Sequence, residues 1–111
     1  HYDSIRFDSN KKTIQNIIDW CHARDIKLLF VTLPAYYTYR NRLDNNQLNE
    51  TINYMINISD KNANVYYHNF FDDRDFIEAD FYDADHFNEI GARKITEKIN
   101  EIIMKITRIQ S

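Results

Sequence analysis

The sequence predicts an α/β domain built on a parallel sheet, and three observations predict it. Apolar residues recur at helical spacing in three separate stretches. Two short apolar runs, residues 27–33 and 65–71, lie between them. The resulting order, α-β-α-β-loop-α, places a helix between the strands. That is the arrangement of a parallel crossover unit, which is expected to be right-handed.

Each element has its own signal. Residues 1–8 read as an irregular lead-in. Ser9 or Asn10 then caps a first helix running to about Arg24. Ile14, Ile17, Ile18 and Cys21 fall at i, i+3, i+4, i+7 and share one face, and Trp20 and Cys21 are assigned to packing. Residues 27–33 are apolar with charge only at the edge and are stopped by Pro34, so they read as a strand buried on both faces. Residues 34–46 form a loop rich in Tyr and Arg. Residues 47–58 make a second helix, with Leu48, Ile52, Met55 and Ile56 on one side. Residues 65–71 make a second strand, and 72–85 an acidic loop. The last helix runs from about 88 to 106 and carries the most regular stripe, Ile95, Ile99, Ile102, Ile103 and Ile106.

Composition limits the function classes. At 111 residues the chain is a single α/β domain over 1–111. Fourteen Lys and Arg against seventeen Asp and Glu give a net charge of −3, which argues against a nucleic-acid partner. The single Cys21 excludes an internal disulfide. No apolar run approaches the roughly 20 residues of a membrane span. Two parallel strands alone form a poor sheet, and one edge of the 27–33 strand finds no partner in the sequence. The domain therefore reads as partial, the C-terminal portion of a larger doubly wound α/β domain; residue 1 is His, not Met. The alternative is a small, non-catalytic α/β interaction module that pairs this edge with another chain, as in a homodimer.

The informative stretch is 81–93. Asp83 and His86 are three residues apart on a loop that opens directly into the last helix. A carboxylate on one ring nitrogen sets the tautomer and leaves the other to take a proton from a hydroxyl nucleophile. Asp85 is the competing carboxylate and is assigned to capping the helix N-terminus. Gly91, the only Gly, lies in the first helical turn, where it lets the helix approach a strand or loop closely.

The block Asp83-Ala84-Asp85-His86-Phe87-Asn88, followed by Gly91-Ala92, resembles the last conserved block of the SGNH/GDSL hydrolase superfamily. The run 26–34, ending in Pro34, looks like a late strand of the same fold. The resemblance is specific over 81–93 and architectural over roughly 10–106. It implies a flavodoxin-like three-layer fold in which His86 is the base and Asp83 its orienting acid. It also implies an esterase or acyl-transfer enzyme acting on carbohydrate or lipid esters, with no metal or organic cofactor. Its bacterial envelope branches imply a cell-envelope or periplasmic location.

The sequence departs from the family in one half of the machinery. No Gly-Asp-Ser block and no oxyanion-hole block is recognisable. Asp3-Ser4 and Asp8-Ser9 follow no strand and lack the strand-turn-helix context of a nucleophile. The segment alone is therefore expected to be inactive.

Tyr36, Tyr37 and Arg40 follow the C-terminal end of the first strand, the edge where open α/β sheets bind ligands. They are candidates for contacting a sugar or an anionic group, or equally for covering the core. The carboxylates of 72–85, with His68 and His86 nearby, have no calcium-loop spacing and are read as a solvated acidic loop without metal. Asn49-Glu50-Thr51 and Asn57-Ile58-Ser59 match the glycosylation triplet but fall on a predicted helix and are read as chance.

Overall fold

The computed structural model describes residues 4–36, 45–83 and 86–108. It is mixed α/β. In chain order it contains α1 (Ser4–Ala23), β1 (Leu28–Thr32), α2 (Asn45–Lys61), β2 (Val65–Asn69), a 3-10 turn (Glu78–Asp80), β3 (Phe81–Asp83), β4 (His86–Phe87) and α3 (Glu89–Arg108). These elements fall into two compact units. The first holds α1, β1, α2 and β2, and the second holds the remainder.

In the first unit, α1 starts at Ser4, not at the expected Ser9 or Asn10 cap. Residues 4–8 contain neither Gly nor Pro, so nothing stops the helix there. Thr13 Oγ1 donates to Ser9 O at 3.2 Å, a bond made from inside a helix. The C-terminus closes on itself: Ile26 N donates to Cys21 O at 2.8 Å and Asp25 N to His22 O at 3.2 Å. This is the Schellman arrangement, with Asp25 in the left-handed region at φ 57°. Glycine usually fills that position, and Asp is among the few other residues that tolerate it.

β1 and β2 pair in parallel, from Leu28 opposite Val65 to Thr32 opposite Asn69. Two asparagines stand at the entry to this pairing. Asn64 O accepts from Leu28 N at 2.8 Å while Asn64 Nδ2 donates to Ile26 O at 3.2 Å. Asn62 Nδ2 donates to Ile58 O at 2.8 Å and closes the end of α2. The core is Ile18 from α1, Met55 and Ile58 from α2, and Val65 from β2. Leu28, Phe30 and Tyr67, on one side of the sheet, pack against it. Thr32 and Tyr67 share a hydrogen bond of 2.5 Å between their hydroxyls.

Several expectations need correction here. β1 is half-buried at all five positions, not buried on both faces. Among the described residues β2 is its only strand neighbour, and a pair of strands encloses neither member. Ile17 is 44% exposed although its spacing assigned it to the core face. Trp20 is 54% exposed; the Arg24 guanidinium lies 4.0 Å from its ring centre and also donates to Trp20 O. Cys21 is buried, as expected. Asn45 and Asn46 belong to α2, not to the preceding loop. No described helix is long and apolar enough to cross a membrane.

In the second unit, the stripe on α3 is only partly covered. Ile95 and Ile106 are buried, Ile99 and Ile102 are half-buried, and Ile103 is exposed. β2 ends at Asn69, so Phe70 and Phe71, expected in the strand, lie beyond it, and Phe70 is buried. The acidic loop contains a 3-10 turn and the first strand of a short hairpin: β3 and β4 pair antiparallel, with an irregularity between Phe81 and Asp83. The start of α3 packs against the turn and against β4.

Ile18 is 1% exposed at the centre of the first core. Ile18→Ala is expected to lower the unfolding free energy by about 2–5 kcal/mol, the usual cost of a large-to-small change at a filled site. Chemical denaturation checks this.

Candidate functional site

The hairpin of β3 and β4 carries the two residues singled out by the sequence. Asp83 ends β3, His86 begins β4, and the two are paired across the strands. The His86 Nδ1 to Asp83 Oδ1 distance is 2.8 Å. An ionised carboxylate only accepts, so Nδ1 is the protonated nitrogen of this contact, and in a neutral ring the lone pair then falls on Nε2. That is the tautomer a general base needs. The His86 side chain is 70% exposed and that of Asp83 49%. Ala84 and Asp85 lie outside the described residues.

The hairpin is tied to α3 by Asn88. Its Oδ1 accepts from Ile90 N and Gly91 N, both at 3.0 Å, which makes it the N-cap. The cap is thus Asn88, not the expected Asp85. A cap must stand immediately before the first helical residue, here Glu89, to reach those amides. Asn88 also bonds backwards: its Nδ2 donates to Ala79 O at 2.7 Å and its backbone N to Asp80 O at 3.0 Å.

Gly91 makes this closeness possible, as expected. A Cβ at residue 91 would overlap Asp80 O and stand 2.6 Å from Phe87 Cδ1. Its φ is not positive, so the requirement is for space and not for a special backbone conformation.

The acidic loop is bound by cations and is not simply solvated. Asp80 is 1% exposed. Its Oδ2 accepts from Lys94 Nζ at 2.7 Å and from Ile77 N at 2.9 Å. Burial alone pushes its carboxyl pKa up. The hydrogen bonds from Lys94 and Ile77, with the Lys94 charge, outweigh burial and hold it below its ordinary value. Lys94 Nζ also donates to Asp75 O at 2.7 Å. One turn later, Lys98 Nζ reaches Asp75 Oδ2 at 2.6 Å and Asp73 Oδ2 at 2.9 Å. These two bonds raise the Lys98 pKa against the opposing effect of burial. Among the described residues no three His, Cys, Asp or Glu side chains are grouped as metal ligands.

A row of rings accompanies the hairpin. Phe76 and Phe87 are 5.4 Å apart, Phe87 and Phe81 5.1 Å, and Phe81 and Tyr36 6.2 Å. Tyr36, a candidate for substrate contact, therefore joins the ring row beside β3. The other two candidates, Tyr37 and Arg40, lie outside the described residues. Tyr82 at 83% and Ile90 at 61% are the most exposed large apolar residues described, and they flank the Asp83–His86 pair in sequence.

Sequence reasoning missed Asp80, Lys94 and the cap. The cap had a signal, because Asn followed by an acidic first turn is a usual helix start. The Asp80–Lys94 pair, fourteen residues apart, had none.

Two outcomes follow from this geometry. Gly91→Ala gains roughly 1 kcal/mol of helix propensity. Overlap with a backbone carbonyl and a packed ring costs about 1–3 kcal/mol or more, so the variant should be less stable in thermal denaturation. Asp80, with its folded-state pKa lowered, contributes stability that is complete above its ordinary value of 3.8 and is lost as pH falls through the lower folded value. Unfolding followed from about pH 5 to pH 2 should show this loss, and Asp80→Asn should flatten it.

No protein-family model matches the chain, and neither a curated protein nor a solved structure matches it.

Proposed function

We propose that this chain supplies the base and its orienting acid to an SGNH-type serine hydrolase or acyl-transfer enzyme acting on carbohydrate or lipid esters. The observation that carries the reading is the 2.8 Å contact between His86 Nδ1 and Asp83 Oδ1, set immediately before the helix that carries Gly91. The finer fold belongs to the same proposal: the parallel pair β1–β2, with its crossover helix α2, is compatible with part of a flavodoxin-like three-layer sheet.

The chemistry follows from the tautomer. A serine hydroxyl, contributed by sequence outside residues 1–111, gives its proton to His86 Nε2 as its oxygen attacks the ester carbonyl. The Asp83 carboxylate stabilises the imidazolium that forms. The imidazolium then protonates the departing alkoxide and leaves an acyl-serine. Water, or an acceptor alcohol in the transfer reaction, then gives its proton to the same nitrogen as its oxygen attacks the acyl carbonyl, and the imidazolium returns that proton to the serine oxygen as the acyl–serine bond breaks. The exposed Tyr82 and Ile90, which flank the pair in sequence, suit a substrate with apolar surface, such as a sugar face or an acyl chain. The segment alone is inactive in this reading, because a base without a nucleophile transfers nothing.

In the longer protein, His86→Ala is expected to lower ester turnover by at least about 10²-fold, the lower bound for losing a positioned base. A chromogenic acetyl ester reports it. Retained turnover would reject the assignment of His86 as the base.

A further inference from the structure

We infer that the free edge of β1 is a docking surface for a second copy of this chain, the two β1 strands lying side by side and antiparallel. The inference goes beyond the hydrolase reading and uses neither Asp83 nor His86. It concerns the main chain of the first unit.

The register fixes which groups face the edge. Leu28 lies opposite Val65 in the parallel pair, and Leu28 N donates to Asn64 O at 2.8 Å. Successive residues of a strand turn their amides and carbonyls to opposite sides. Leu28, Phe30 and Thr32 therefore bond to β2, while Leu29 and Val31 point to the far side. Among the described residues no strand lies there, and no main-chain bond closes Leu29 or Val31 on that side. Unpaired main-chain groups on an edge are a template for another chain, and sheets usually blunt them with charge, proline or a bulge. Residues 28–32 carry none of these: the strand reads Leu-Leu-Phe-Val-Thr, and its register with β2 is unbroken. The outer edge of β2 differs. Its first outward amide, Val65 N, is taken by Asn62 O at 3.0 Å, and the strand ends in the exposed His68 and Asn69.

The β1 edge is complementary to itself. Leu29 and Val31 are placed symmetrically about Phe30. A two-fold axis at Phe30 sets Leu29 of each copy opposite Val31 of the other, and each such pair exchanges both its hydrogen bonds. Only this register overlaps all of residues 28–32. It brings the two Phe30 side chains together on one face and sets Leu29 beside Val31 on the other, which are favourable apolar cross-strand pairs. The adjoining charge, Lys27, falls opposite Leu33, so the two lysines stand at opposite ends of the pairing. The side chains of β1 are already half-buried, so what the edge lacks is main-chain partners, and a second copy supplies them.

Sedimentation at rising concentration reads the mass, and amide hydrogen exchange at the same concentrations reads the edge. The mass should climb from 13.4 kDa towards twice that value. As it does, exchange at the Leu29 and Val31 amides should slow by about tenfold or more, while the Phe30 and Thr32 amides, bonded to β2, stay slow throughout. Val31→Pro deletes an outward amide and no bond to β2, a position where a strand accepts proline. It should keep the helical circular dichroism and weaken dimerisation by at least about tenfold. A chain that remains monomeric at about 1 mM overturns the inference. So does a dimer in which Leu29 and Val31 still exchange rapidly, or in which the Tyr67 amide on the β2 edge is the one that slows. A folded Val31→Pro with unchanged affinity also overturns it. If that variant does not fold, exchange on the unmodified chain decides. In the longer protein, protection of Leu29 and Val31 at every concentration with a monomeric mass would place a strand of the same polypeptide on this edge and overturn the second copy. None of these readouts depends on ester turnover, so the inference and the hydrolase reading fail separately.

Discussion

The backbone carbonyl of Asp80 accepts the Asn88 amide at 3.0 Å, and residue 91 has no Cβ to force them apart. The geometry around the histidine depends on that approach. It allows Asn88 to serve two structures at once, capping α3 with its carbonyl oxygen and closing the hairpin with its amide. It also brings Phe87 against the helix start and into the row with Phe81 and Phe76. A helix beginning with any larger residue at this position would stand farther from the turn. The cap and the hairpin closure could not then be shared.

The ion pairs of the same unit are not equivalent. Asp80 is nearly inaccessible where its side chain meets Lys94, Asp73 is 21% exposed where it meets Lys98, and Asp75 is 70% exposed where it meets the same ammonium. Exposed pairs contribute about 0.2–1 kcal/mol, because water screens the charges and two long side chains must be ordered. Removing one partner of a buried pair costs about 3–5 kcal/mol, since the charge left behind has neither water nor a counter-ion. Of these carboxylates, Asp80 is the one that would be left buried if its lysine were removed. The Lys98 contacts, with the Phe76 ring 5.7 Å from that ammonium, add support.

The Asp83–His86 contact works by orientation more than by energy. Both groups are substantially hydrated, so their attraction is attenuated. A 2.8 Å bond to an ionised acceptor still selects which nitrogen holds the proton, and the direction of proton transfer in the proposed reaction follows from that choice.

The helices, the two parallel strands, the adjacency of Asp83 and His86 and the tight packing at Gly91 were legible in the residues. Each is a matter of spacing within one element or one short loop, where 3.6-residue periodicity and a separation of three residues nearly determine the geometry. Helix ends were less legible, because α1 runs through Ser9 and stops at an Asp, not a Gly, in the left-handed region. Periodicity also could not say that Trp20 and Ile17 face solvent, since a stripe reports a face and not what covers it. Only the tertiary structure decided that Asp80, one carboxylate among many, is the buried one. Its partners Lys94 and Asn88 lie across a turn and a hairpin, and which charges meet there depends on the path of the chain, which no local pattern encodes.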